Sequence, residues 1–252
     1  MKRAVNCGLV KADNMRQAIL LLSFGTPRQP SDLLPYLTSI RRGKIPTERE
    51  LKVLTARYDA IGQWDNKLLQ TMGEDQKKTL KSLLAIDAMY LAYLHMPNSM
   101  EQAVESIAAA GYTSILCIVT SPFYSMVGTG AYERKLHSIL RAYPDISCEI
   151  IKSWWNRPQF FEYWRSQLMA ANPLQADTAC IFSAHSVPTS TVGSYEDEVM
   201  SASNQIAKMV GLNHWYQAWQ SAAPYGEWLG PTIESVIEQA LICLLYTSDA
   251  AD

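Results

Sequence analysis

Several familiar signatures are missing from this 252-residue chain. Its five cysteines, Cys7, Cys117, Cys148, Cys180 and Cys243, are odd in number, widely spaced and form no CxxC pair. That argues against both a disulfide framework and a zinc knuckle. Cys117 and Cys180 lie inside apolar runs, where a free thiol packs as a small hydrophobe. The absence of GxGxxG and GxxxxGKS loops disfavours dinucleotide and P-loop nucleotide chemistry, and the absence of a GxSxG elbow disfavours a serine hydrolase. No apolar run approaches the roughly 20 residues needed to cross a bilayer. MKRAVNCGLVKADNM (1–15) has basic residues but no continuous apolar segment after them, so it does not read as a signal peptide. Neither sign of charge is in excess: 22 Lys and Arg stand against 24 Asp and Glu, a formal net charge of -2. With no long run of like charges, a nucleic-acid partner is not indicated. What remains is a globular protein of a reducing compartment, expected in the cytoplasm as a monomer without a spanning segment, with peripheral membrane contact left open.

What is present is core. Apolar residues make up 48% of the chain, enough for one large domain or two smaller ones. The runs AILLLSF (18–24), AMYLAYL (88–94), SILCIVT (114–120), TACIFSA (178–184) and HWYQAWQ (214–220) are of strand length and apolar at successive positions. Such runs suit strands covered on both faces, as in parallel sheets. Between them lie stretches with helical spacing. NSMEQAVESIAAAG (98–111) places Met100, Val104, Ile107 and Ala108 on one face and ends at Gly111, a C-cap. TERELKVLTARYDAI (47–61) opens with Thr47 and Glu50, a capping box. The alternation predicts an α/β architecture. A composition change at SWWNRPQFFEYW (153–164) marks a boundary between two units, and its aromatic residues are expected to pack between them.

Four strand ends share small hydroxyl residues, glycine and proline: SFGTP (23–27), TSPFYS (120–125), SAHSVP (183–188) and QSAAPYGEWLGP (220–231). Each alone is an ordinary turn; together they point to a ligand crevice at the carboxyl ends of strands. One of only four histidines, His185, stands at such an end, where an imidazole can act as base, acid or metal ligand. His95 follows AMYLAYL in the same way, whereas His137 and His214 read as surface or packing positions.

These motifs resemble the ferrochelatases, enzymes that insert ferrous iron into a porphyrin, and particularly the bacterial type acting on coproporphyrin. SAHSVP with WQS and WLGP carries the resemblance most specifically; SFGTP, IRRGKIP (40–46), RYDAIG (57–62), YSMVGTGAY (124–132) and SWWNRPQF (153–160) add to it. It implies two Rossmann-like, chelatase-type units with parallel sheets flanked by helices, the second incomplete. The expected layout is an N-terminal extension over 1–15, a first unit over 16–152, a second over 153–239, and a non-native tail over 240–252. His185 matches the histidine beside the porphyrin nitrogens and the incoming metal, as catalytic residue and metal ligand. Arg41 and Arg42 match a basic pair suited to propionate carboxylates. Ser125 and Tyr132 match positions lining the cleft; Trp219, Gln220 and Ser221 match a strand end on its opposite side, and His95 a further histidine near it. Phe24 stands where coproporphyrin-type members often have an iron-ligating tyrosine, which phenylalanine cannot replace.

Two more departures are visible, GQWDNKLL (62–69) in a substrate-contacting loop and the shortened VGSYEDEV (192–199). The match fades after about Gln239, before the family's glutamate that faces the metal site, so the chain as written is expected to be inactive or nearly so. No tightly bound cofactor is expected; ferrous iron and porphyrin are substrates. The alternatives are a non-catalytic porphyrin or haem binding protein, and a chelatase for another tetrapyrrole such as sirohydrochlorin.

Overall fold

The computed structural model describes residues 16–62, 64, 68–172, 174 and 178–249, with the backbone alone for 243–249. The expected N-terminal extension over 1–15, the last residues of the expected tail and part of GQWDNKLL lie outside the described residues. The chain divides into two units. Among the described residues, one comprises those up to Thr120 together with Lys135–Ile150, and the other Ser121–Arg134 with those from Ile151 onward, so the division is not a single cut in sequence.

The first unit is built on β1 (Gln17–Ser23), α1 (Leu33–Ile40), α2 (Glu48–Ala60), α3 (Leu68–Leu84), β2 (Met89–Tyr93), α4 (Ser99–Ala109), β3 (Ser114–Val119), the later turns of α5 (Thr129–Leu140) and β4 (Ser147–Ile151). Its sheet has the order β2-β1-β3-β4. β1 is parallel to β2 on one side, from Ile19 opposite Met89 to Ser23 opposite Tyr93, and to β3 on the other. This inner position explains its unbroken apolar run: Ala18 to Leu22 are all buried, because neither face meets water. The helix predicted over 98–111 forms as α4, burying Met100, Ala103, Val104 and Ile107. Full burial of Met100, Val104 and Ile107 contributes about 1.5–3 kcal/mol each. Beyond its end Gly111 takes φ +75, its amide bonds to Ala108 O at 2.9 Å and the Tyr112 amide to Ile107 O at 3.2 Å. A residue without a Cβ favours that left-handed turn.

The second unit contains the start of α5, then α6 (Pro158–Ala170), β5 (Cys180–His185), α7 (Tyr195–Val210), β6 (Trp215–Gln220) and α8 (Ile233–Asp249). Among the described residues its sheet has two strands, β5 and β6, parallel and in register from Cys180 opposite Trp215 to His185 opposite Gln220. α7 buries Val199, Ala202, Ile206 and Val210, a stripe at helical spacing. The aromatic cluster expected between the units is used within this one: Phe161 joins Ala202, Ile206 and Val210 with Trp155 and Phe160 packed against them, while Tyr163 and Trp164 are exposed. The reason is local geometry, since Pro158 starts a helix that puts Phe160 and Phe161 on the side of α7. Among the described residues no helix is long and apolar enough to cross a membrane.

Candidate active site

In the first unit the strand ends bring Phe24 and His95 together. The pairing of β1 with β2 runs on past both strands, through Leu94 N to Ser23 O at 2.9 Å and His95 N to Phe24 O at 3.1 Å. Their rings meet at 4.4 Å between centroids, and Tyr36 of α1 presents an edge to each. Ser39 Oγ lies 3.0 Å from His95 Nδ1. Burial, and secondarily the Lys135 ammonium, push the His95 pKa down to about 4, so its ring is neutral near pH 7. Lys135 is itself bound to Leu94 O at 3.4 Å and to Glu101 at 3.4 Å. The tight turn after Phe24 requires Gly25, at φ +88, where an added Cβ would stand 2.9 Å from Tyr93 Cβ.

The two arginines end in different situations. Arg41 Nη1 is ion-paired with Glu50 Oε2 at 2.5 Å. The same oxygen accepts from the Thr47 amide at 2.7 Å, completing the capping box predicted for α2. Those bonds, the Thr47 backbone first and Arg41 next, hold the Glu50 carboxyl at a pKa of about 2. Arg42 has φ 56, is exposed, and forms no ion pair among the described residues.

In the second unit His185 is the last residue of β5, opposite Gln220 at the end of β6. His185 and Gln220 are exposed, and Ser221 follows with φ 63. The His185 Nδ1 lies 2.9 Å from its neighbour's carbonyl, Ser186 O. A carbonyl only accepts, so Nδ1 is the donor of this bond, and of the two neutral tautomers the contact selects the one with Nε2 free to accept. The peptide around it is fixed from several sides. The Ser186 amide bonds to Gln220 O at 2.8 Å, and Ser186 Oγ donates to Leu229 O at 2.9 Å. The buried Tyr195 hydroxyl, its pKa pushed up to about 12 by burial, donates to His185 O at 3.0 Å. Trp219, 2% exposed, packs with Tyr195, Val187 and Leu229 beneath this end of the sheet.

Ser125 and Tyr132 belong to the segment that opens α5. Ser125 is buried, its Oγ accepting from the Gly128 amide at 3.0 Å and its carbonyl from the Gly130 amide at 3.0 Å. Tyr132 is 5% exposed, and burial raises its pKa. The structure thus groups Phe24 with His95 in one unit, and His185 with Gln220 and Ser221 in the other, with Trp219 as a buried support. The sequence reasoning missed the residues that hold these groups. Ser186 stood within SAHSVP and Tyr195 within VGSYEDEV, but Ser39, 56 residues from His95, gave no signal at all.

The family model described as ferrochelatase matches residues 16–241. The chain is 31% identical to the coproporphyrin III ferrochelatase of Halalkalibacterium halodurans, over 91% of this chain and 78% of that one. It is 30% identical to the coproporphyrin III ferrochelatase of Staphylococcus aureus, over 88% of this chain and 76% of that one. Among solved structures, SirB from Bacillus subtilis with Fe3+ superposes with a TM-score of 0.56 at 12% identity, covering 89% of this chain and 71% of SirB. The sirohydrochlorin chelatase SirB from Bacillus subtilis subspecies spizizenii in complex with cobalt gives 0.53 at 11% identity, covering 91% and 82%. The structural likeness bears out the expected α/β fold, parallel sheets flanked by helices as in the Rossmann-like chelatases. The sequence match goes further: this chain belongs to the ferrochelatase family, whose members are metal chelatases.

Proposed function

We propose that this chain binds a free-base porphyrin, coproporphyrin III in the first place, and inserts ferrous iron into it with His185 as the reactive group. The observation that carries this reading is the tautomer of His185. Two pyrrole N–H protons must leave before a divalent cation can bind all four nitrogens, and an imidazole with a free Nε2 can accept a proton or hand over the metal. Arg42, exposed and outside any ion pair among the described residues, suits a propionate of the porphyrin. The exposed face of Phe24 suits the apolar macrocycle. Coproporphyrin III is preferred over protoporphyrin IX because the two relatives above are coproporphyrin III ferrochelatases. The free cysteines Cys117, Cys148 and Cys180 suit a reducing compartment, and the cytoplasm is part of this proposal.

A second reading, a porphyrin binding protein without turnover, is favoured by one feature. Among the described residues, no hydrogen bond or ion pair links His185 to a carboxylate that would take the proton onward. Anaerobic incubation of the chain with ferrous iron and coproporphyrin III or protoporphyrin IX, followed by loss of porphyrin fluorescence, tests both. Insertion faster on coproporphyrin III is expected, falling about 10²–10⁴-fold in His185→Ala. An unchanged rate in that variant would remove His185 from the mechanism, and tight binding without insertion would establish the second reading.

A further inference from the structure

The first turn of α7 carries Glu196, Asp197 and Glu198. Acidic side chains are common there, because the unpaired amides of a helix N-terminus favour negative charge. Glu198 is used differently. Its Oε1 accepts from Ser194 Oγ at 2.9 Å, while Oε2 accepts from the backbone amide of Tyr124 at 3.3 Å, 74 residues away. Ser153 Oγ lies within reach of both Glu198 Oε2, at 3.3 Å, and Pro122 O, at 3.2 Å; with one proton it serves one acceptor at a time.

Tyr124 immediately precedes Ser125, in the loop between β3 and α5. Before it, Phe123 packs against Trp155, Phe160 and Tyr195. After it, Thr129 Oγ1 donates to Phe123 O at 2.9 Å, and Arg134 Nη1 to Met126 O at 3.1 Å. The Tyr124 amide is therefore where this loop is hydrogen-bonded to α7. The same helix, one turn away, holds the His185 carbonyl through the Tyr195 hydroxyl. Positions 195 and 198, three apart, share a helix face. One turn of α7 thus carries both the peptide of the proposed reactive histidine and the loop of Ser125.

We propose that Glu198 is a positioning residue for porphyrin binding, acting through the Tyr124 amide on the Ser125 loop and touching no substrate itself. The inference rests on the reading of this chain as a porphyrin metal-insertion enzyme. Its test is the dissociation constant of coproporphyrin III, by fluorescence titration of the full chain well below its unfolding midpoint. The proteins are wild type, Glu198→Ala, Glu198→Gln, Glu198→Asp, Ser125→Ala and the Glu198→Ala/Ser125→Ala double variant.

Losing a charge-assisted hydrogen bond that orders a binding loop is expected to weaken binding about tenfold in Glu198→Ala. Glu198→Gln, which keeps an acceptor at the same reach, recovers to within about threefold of wild type. Glu198→Asp keeps the charge at the helix start but is one methylene short, so it weakens binding as the alanine does and serves if Glu198→Ala does not fold. Because the two sites act through one loop, the double variant is weaker by less than the product of the single effects. A residue that only stabilises the fold would lower the melting temperature and leave this constant unmoved. Wild-type binding in Glu198→Ala or Glu198→Asp, or single effects that multiply, would overturn the inference alone; a wild-type chain that does not bind coproporphyrin III overturns the functional reading, and this inference with it.

Discussion

The half-buried His95 makes stability depend on pH in a calculable way. Its pKa falls from 6.5 to about 4 on folding, chiefly through burial and secondarily through the Lys135 charge. Between those values the unfolded chain binds more protons at this site than the folded one, so stability rises with pH. The contribution is complete above about pH 6.5 and is lost as pH falls towards 4. At pH 5 the full shift corresponds to about 2 kcal/mol. Since the ring is only partly sealed from water, screening reduces the expected loss to about 1 kcal/mol. His95→Gln removes the titration while keeping a polar group towards Ser39. Urea unfolding of both proteins at pH 7.5 and pH 5 gives the difference directly, and the three other histidines, common to both, cancel. The wild type should lose about 1 kcal/mol more than the variant over this interval. Equal losses would show that His95 is not desolvated by Phe24, Tyr36 and its strand end, and the arrangement of that site would have to be abandoned.

Further outcomes follow from packing and thiol environment. Trp219→Ala empties a fully buried position beneath His185 and is expected to cost about 3–5 kcal/mol in denaturant unfolding; a loss below about 1 kcal/mol would contradict its place in that core. Ser186→Ala leaves Leu229 O without its hydroxyl donor and is expected to cost about 1–3 kcal/mol, with urea midpoints as the check and an unchanged midpoint as the refutation. Cys117 and Cys148 have sulfurs 3.6 Å apart. The Cys117 thiol is pushed far up, first by its bond to Cys148 and then by burial, while that bond pulls the half-buried Cys148 down. A thiol-alkylating reagent should therefore label Cys148 well before Cys117 in the folded protein, as read by peptide mass mapping, and equal rates would refute this.

Much of the architecture could be read from local pattern. AILLLSF is apolar at successive positions, and a run with no polar alternation belongs where both faces are covered; β1 sits between β2 and β3. Thr47 with Glu50, and Gly111 after a helical stripe, marked a helix start and a helix end because capping involves residues only a few positions apart. SAHSVP placed a histidine at a strand end for the same reason.

The sequence by itself, then, determined five of the strands, the helices α2 and α4 with their capping residues, and the family. Only the tertiary structure decided which nitrogen of His185 carries the proton, that Arg41 is taken by Glu50 while Arg42 is not, that Ser39 holds His95, and that Glu198 reaches Tyr124. It also put Trp155, Phe160 and Phe161 of the aromatic cluster against α7 and left Tyr163 and Trp164 exposed. The physical reason is one of range. Periodicity and capping report contacts within an element, whereas hydrogen-bond partners and burial at the site come from residues tens of positions apart, brought together only when the sheets and helices pack.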